Sequence, residues 1–115
     1  MATIEECRDA LDRLSDRMRS AEGDLRAAAD LDRSVSCHLT DLEVTFAGRT
    51  ADGGLRIDDT HTGPPREKAQ IRLVLTGDDL IALVDGELNF ARAWGSGRVK
   101  LTAGLRDLLH LRKLL

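Results

Sequence analysis

Residues 76–101 do most to constrain how this chain can fold. They string together a capped helix, a glycine stop, an aromatic-bearing turn and a short alternating strand, with almost no residue types suited to catalysis. Thr76, Gly77, Asp78 and Asp79 read as a helix start of the capping-box kind. A hydroxyl sits at the cap and an acid three residues on, satisfying amide hydrogens that have no intrahelical partner. Leu80, Ile81, Leu83 and Val84 follow. Four large apolar residues in five positions leave hardly any polar face, so this helix is expected to be buried on most sides and to stop at Gly86. Phe90 and Trp94 come next, Gly95 and Gly97 interrupt the chain, and Arg98, Val99, Lys100 and Leu101 alternate as a one-sided strand.

Upstream, the hydrophobic period divides the chain into a helical and an extended part. Over residues 4–29 the positions Ile4, Cys7, Leu11, Leu14, Met18, Ala21, Leu25 and Ala28 recur at spacings of three and four, a narrow seam clothed by mixed charge. The seam fits a helix lying on its own domain. The same heptad spacing would also serve a homodimer through residues 4–28, although Cys7, the alanines and Gly23 weaken it at the ends. From residue 35 the period becomes two, with Val35, Cys37 and Leu39 on one side and Ser34, Ser36, His38 and Thr40 on the other. At Thr40 and Asp41 the parity slips by one before Leu42, Val44 and Phe46. A β-bulge or a break between two strands would each account for the slip. Residues 51–54 signal a turn, residues 55–60 a returning hairpin arm, residues 61–68 a loop, and residues 70–75 a strand with Ile71, Leu73 and Leu75 inward and Arg72 outward. From Thr102 a leucine-rich helix is expected to run to residue 115. The sum is an α+β domain: about five mostly antiparallel strands, polar on one face, with helices covering the other.

At 115 residues the chain fits a single domain able to bury a core without disulfides or metal. A formal charge of -3, three aromatics and no tyrosine exclude the basic stripe and stacking platform of a nucleic-acid binder. No apolar run approaches the ~18 residues of a membrane span, and Glu5 and Glu6 stand where an export signal is basic. Two cysteines fit a reducing compartment, so a cytoplasmic location is expected. The preponderance of arginine over lysine fits a bacterial genome rich in G and C.

The run Asp79-Leu80, Leu83-Val84, Gly86-Glu87-Leu88, Phe90, Ala93-Trp94 and Gly97-Arg98-Val99-Lys100 resembles the C-terminal half of the sterol carrier protein type 2 family, the non-specific lipid-transfer domains. The similarity covers about residues 70–115; the earlier half matches only in kind, a helix followed by strands. The resemblance implies an apolar tunnel between sheet and helices for a fatty acyl chain, a sterol or acyl-CoA, with no catalysis and no cofactor. The chain departs from the family pattern where Ala103 replaces a frequent glycine, Gly104 falling one place later. The strand wall of such a tunnel would come from Leu73, Leu75, Val99 and Leu101, and its helical wall from Leu83, Val84, Leu105, Leu108 and Leu109. Phe90 and Trp94, four apart, would share one face of a short helix and touch the ligand. Arg92 and Arg98 are the candidates for a carboxylate or phosphate head group.

The remaining reactive residues make no constellation. Cys37 and His38 are strand neighbours and so point to opposite faces, which places Cys37 in the core and His38 in solvent. Asp59 and His61 share a face, yet two ligands make at best half a metal site. Gly95-Ser96-Gly97 precedes a strand instead of opening a helix, so it is no phosphate loop. Two rivals to a lipid carrier follow. One is an interaction module whose tunnel is filled by its own side chains and which docks through the N-terminal seam or the leucine-rich end. The other is a small steroid- or polyketide-directed enzyme, which the absence of tyrosine disfavours.

Overall fold

The computed structural model describes residues 2–20, 32–51, 53–104 and 106–107. In chain order the elements are α1 (Ile4–Ser20), β1 (Arg33–Leu39), β2 (Val44–Ala51), β3 (Gly54–Thr62), β4 (Ile71–Leu75), α2 (Gly77–Val84), α3 (Phe90–Gly95) and β5 (Lys100–Ala103). The strands form one sheet in the order β3-β2-β1-β4-β5. Three of its pairings are antiparallel and the central one, β1 with β4, is parallel. Cys37 lies opposite both Phe46 and Leu73, which sets one face as Val35, Cys37, Leu39, Val44, Phe46, Leu73, Leu75 and Leu101. From that face Cys37, Leu39, Val44, Phe46 and Leu75, together with Cys7, Ala10, Leu11, Leu80, Val84, Ala93 and Val99, make the core, with Leu73 packed against it.

The parity slip near residue 40 is a break between strands. β1 ends at Leu39, Glu43 turns the chain at φ 52°, and β2 starts at Val44. A bulge does occur, but further along, where the β2–β3 register shifts between Ala47 and Gly48. The two backbones close so tightly there that a Cβ on Gly48 would lie 1.8 Å from the Arg56 carbonyl oxygen. β5 continues through Ala103, past the expected start of the last helix at Thr102. Apart from Arg106 and Asp107, which are helical, that helix lies outside the described residues, as do residues 21–29 of the expected first helix.

α1 packs on α2 and β3 through Cys7, Ala10, Leu11, Ser15 and Met18, so its buried face is rotated from the expected seam. Ile4 is exposed, while the small Ala10 and Ser15 lie against the domain. Small side chains let the elements approach closely: Cys7 Sγ lies 3.8 Å from the Gly77 carbonyl oxygen, and Ser15 Oγ accepts from the Leu55 amide at 2.9 Å. That amide belongs to β3, a sheet edge, so the helix occupies a position where another strand would otherwise add.

α2 begins as its residue types require. The Thr76 hydroxyl accepts from the Asp79 amide at 3.2 Å, and the Gly77 amide donates to Asp41 at 2.9 Å. Its end is a Schellman motif. Gly86, at φ 79°, donates to the Leu83 carbonyl and Glu87 to that of Ala82. No helix among the described residues is long and apolar enough to cross a membrane.

Candidate functional site

The inner face of the sheet is closed at one end and looser at the other. Under α1, the residues Cys7, Leu39, Phe46 and Leu80 are at most 2 % exposed. Toward β4, β5 and α3 the apolar side chains are only half-buried: Leu73, Leu101, Leu83, Leu88, Phe90 and Trp94. Leu75, Val84 and Val99 form the fully buried floor between these regions. Phe90 and Trp94 do share a face of α3, with ring centroids 6.0 Å apart and planes tilted by 37°. The opposite side of α3 is pinned by buried Ala93, whose carbonyl accepts from the Val99 amide at 3.1 Å. Leu105, Leu108 and Leu109 lie outside the described residues.

Of the two arginines proposed for a head group, Arg92 is exposed on α3. Arg98 is already engaged. Its Nε donates to both oxygens of Asp79 at 3.0 Å and its Nη2 to Oδ1 at 2.6 Å. These hydrogen bonds, with the charge of Asp79, push the Arg98 guanidinium further toward its charged form. Asp79 was expected to reach back to the helix cap. It serves instead to tie the start of α2 to the turn before β5, which fixes where α3 presents its two rings.

Among the described residues the thiols have no partner suited to catalysis. Burial, with a smaller contribution from neighbouring Cys7, pushes Cys37 up to about 12. Burial, then Asp41, Glu6 and Asp78, raises Cys7 to about 11. Cys37 faces the core and His38 the other side of the sheet, where it is half-buried rather than in solvent. The Thr45 hydroxyl has a single hydrogen and gives it to the Gly63 carbonyl at 2.7 Å, so His38 Nδ1 donates to Thr45 Oγ1 at 3.0 Å.

That second face differs from a simple wetted surface, because residues 63–70 fold back across it. Thr45 and Ser36 beneath are 0 % and 2 % exposed, and His61 is 7 % exposed. His61 Nδ1 lies 2.6 Å from Asp59 and its Nε2 lies 3.1 Å from the Pro64 carbonyl oxygen. No group of three His, Cys, Asp or Glu residues placed to hold a metal occurs among the described residues. Among the described residues, cavities of about 460, 590 and 400 Å³ lie beneath residues 65–69, in the α1–α2 groove and beside the β4–β5 end of the sheet. All three are lined largely by polar residues, and none of them touches Leu73, Leu83, Phe90 or Trp94.

An α+β domain with one helix-covered apolar face and a parallel pair at the centre of an otherwise antiparallel sheet defines a recognisable class, that of small two-layer sheet-and-helix domains. Its fold is that of sterol carrier protein 2. The chain superposes on the sterol carrier protein domain 2 of Helicoverpa armigera with a TM-score of 0.67 and 15% identity, covering 92% of this chain and 82% of that one. It also superposes on the Aedes aegypti sterol carrier protein 2 in complex with palmitate, with a TM-score of 0.63, 13% identity, and coverage of 99% and 96%. A double mutant of the sec-alkyl sulfatase PisA1 matches 99% of this chain at a TM-score of 0.62 and 23% identity, but the chain spans only 16% of that enzyme's length. No family model matches the sequence, and no curated protein matches it significantly.

Proposed function

We propose that this chain is a non-catalytic binding or carrier domain for an apolar ligand such as a fatty acyl chain, a sterol or acyl-CoA. The observation that carries this reading is the half-buried apolar set of Leu73, Leu83, Phe90, Trp94 and Leu101, gathered at one end of an otherwise closed core. The palmitate complex of a protein with the same fold supports it. The driving force is burial. A chain of ~12 methylenes removed from water gains roughly 10 kcal/mol at about 0.8 per methylene, before the costs of association, so no ion pair to a head group is required.

The test is native mass spectrometry of protein taken directly from cells, together with titration by palmitate, acyl-CoA and a sterol. Trp94 is the chain's single tryptophan and serves as the reporter. Retained lipid, or a saturable blue shift of Trp94 emission that weakens about tenfold in Leu73→Ala, is the expected result. Absence of both with every ligand would sink the carrier reading.

A second reading is favoured by the tight interior around Phe46, Leu39 and Leu80 and by the match to part of a much longer enzyme. Here the same fold is an interaction module whose half-buried apolar end docks a partner. Failure of every lipid, with Trp94 emission answering only to a protein partner, would select it.

A further inference from the structure

The strap of residues 63–70 is held at both ends and arches in between. At one end the Gly63 carbonyl accepts from Thr45, and the Pro64 carbonyl faces His61. At the other, the Gln70 amide donates to Ser34 Oγ at 2.8 Å, while the Gln70 side chain accepts from the Ser34 amide at 3.0 Å. Beneath the span lies the cavity of about 460 Å³, bordered by Ser36, Ala47, Arg49, His61, Arg66 and Lys68. That volume falls within the range of small-molecule sites.

Two polar groups under and beside this strap have no hydrogen-bond partner: Ser36 Oγ, on a residue 2 % exposed, and Arg72 Nε. They are direct register partners across the central β1–β4 pair and project from the same face of the sheet; Ser36 lines this cavity, Arg72 lines the adjoining one of about 400 Å³, and Lys68 borders both. A buried donor left unanswered destabilises a fold, and these two, side by side, are the buried side-chain groups left so among the described residues, so they call for an acceptor. Among the rim charges, the acids are largely answered already. Asp59 is within 2.6 Å of His61 and 3.8 Å of Arg66, Asp58 receives Arg56 at 2.9 Å, and among these rim acids Glu67 alone has no partner. Arg49 is matched to Asp32 at 2.6 Å. What remains unanswered is a set of donors: the Ser36 hydroxyl, the Arg72 guanidinium N–H and the Lys68 ammonium.

The geometry points to a second binding site, on the face of the sheet opposite the apolar one, for a small molecule bearing an oxyanion, either a carboxylate or a phosphoryl group. The oxyanion accepts from Ser36 and Arg72 and is neutralised by Lys68, and the strap covers the rest of the molecule. This site does not depend on the lipid reading, because it uses none of the same residues.

The experiment is an amide-resolved NMR titration in fixed chloride with inorganic phosphate, with succinate and with glycerol as the uncharged control. It is run on the parent chain and on Ser36→Ala and Lys68→Gln, with melting temperatures recorded alongside. Saturable shifts confined to Ser34, Ser36, Ala47 and Ala69 are expected with one or both anions and not with glycerol, weakened at least tenfold in each variant. A response to phosphate alone identifies a phosphoryl ligand; a response to succinate alone identifies a carboxylate. Ser36→Ala should melt no lower than the parent, since the hydroxyl it removes has no partner in the fold. The proposal is overturned if neither anion gives saturable shifts, if glycerol does equally well, if the variants bind as the parent does, or if Ser36→Ala melts more than about 5 °C lower.

Discussion

Replacing Gly48 by alanine tests the account of the sheet at its tightest point. The added Cβ would lie 1.8 Å from the Arg56 carbonyl oxygen, 2.8 Å from the Arg56 carbonyl carbon and 2.9 Å from Ile57 Cα. All three are backbone atoms, so no side chain can swing away to make room. A carbon and an oxygen approach no closer than about 3.3 Å, and β2 and β3 must therefore part locally by about 1.5 Å. That opening stretches the neighbouring ladder hydrogen bonds beyond useful length. Two lost bonds at about 1 kcal/mol each, with the accompanying loss of packing, give about 2–4 kcal/mol of destabilisation. For a domain of this size the melting temperature should fall by about 10 °C or more. Gly95→Ala is the control: its Cβ meets nothing within 4 Å, and it ends a helix, so it should be neutral or gain up to about 1 kcal/mol. Thermal and urea unfolding of the two variants, each compared with the parent, decide the matter. A Gly48→Ala melt within 2 °C of the parent would refute the close β2–β3 approach.

Other outcomes follow from the buried groups. The folded thiol values of about 11 and 12 lie above the ordinary 9.0. The unfolded chain therefore releases these protons first, and the stability they contribute is intact below pH 9 and lost as the pH rises toward 11 and 12. Each thiol lowers stability by about 1.4 kcal/mol per pH unit in that window, and with no tyrosine in the chain the urea midpoint should drop steeply between pH 9 and 10.5. A flat midpoint, or labelling of native thiols at pH 8 as fast as in urea, would contradict it. Ser15→Ala strands the Leu55 amide under α1 and should cost about 1–3 kcal/mol; a loss below 0.5 kcal/mol by urea unfolding would mean that the helix does not depend on that bond.

The features that could be read from the sequence are those with a period or a cap. Alternation through Val35, Cys37 and Leu39 identified the central strand and its inward face, and Thr76 with Gly86 bounded α2 at both ends. The shared face of Phe90 and Trp94 followed from helical spacing. Other features left no such trace. A strand that pairs parallel alternates just as an antiparallel one does, so the β1–β4 pairing was not visible in residues 71–75. Glu43 adopts a left-handed φ that glycine or asparagine would have signalled and glutamate does not. Ala10 and Ser15 lie off the three-and-four seam of larger apolar residues, yet both are buried against the domain, where their small size lets α1 settle onto β3. The strap is held by side chains bonded to main-chain carbonyls at one end and main-chain amides at the other, contacts that follow no pattern of residue types. For that reason the sheet's second face read as open to water when Ser36, Thr45 and His61 are in fact covered.

The parallel pairing at the middle of the sheet bears on how the molecule is assembled. The β1–β2–β3 meander closes through two short turns, so it can form while the rest of the chain is still unmade. β4 must come back past that whole meander to claim the other side of β1. Until it arrives, the seven residues of β1 offer a bare row of main-chain donors and acceptors, apolar on one side. During synthesis, then, the weakest margin is the strand that ends up best protected, and incomplete molecules would stick to one another there rather than along either outer rim.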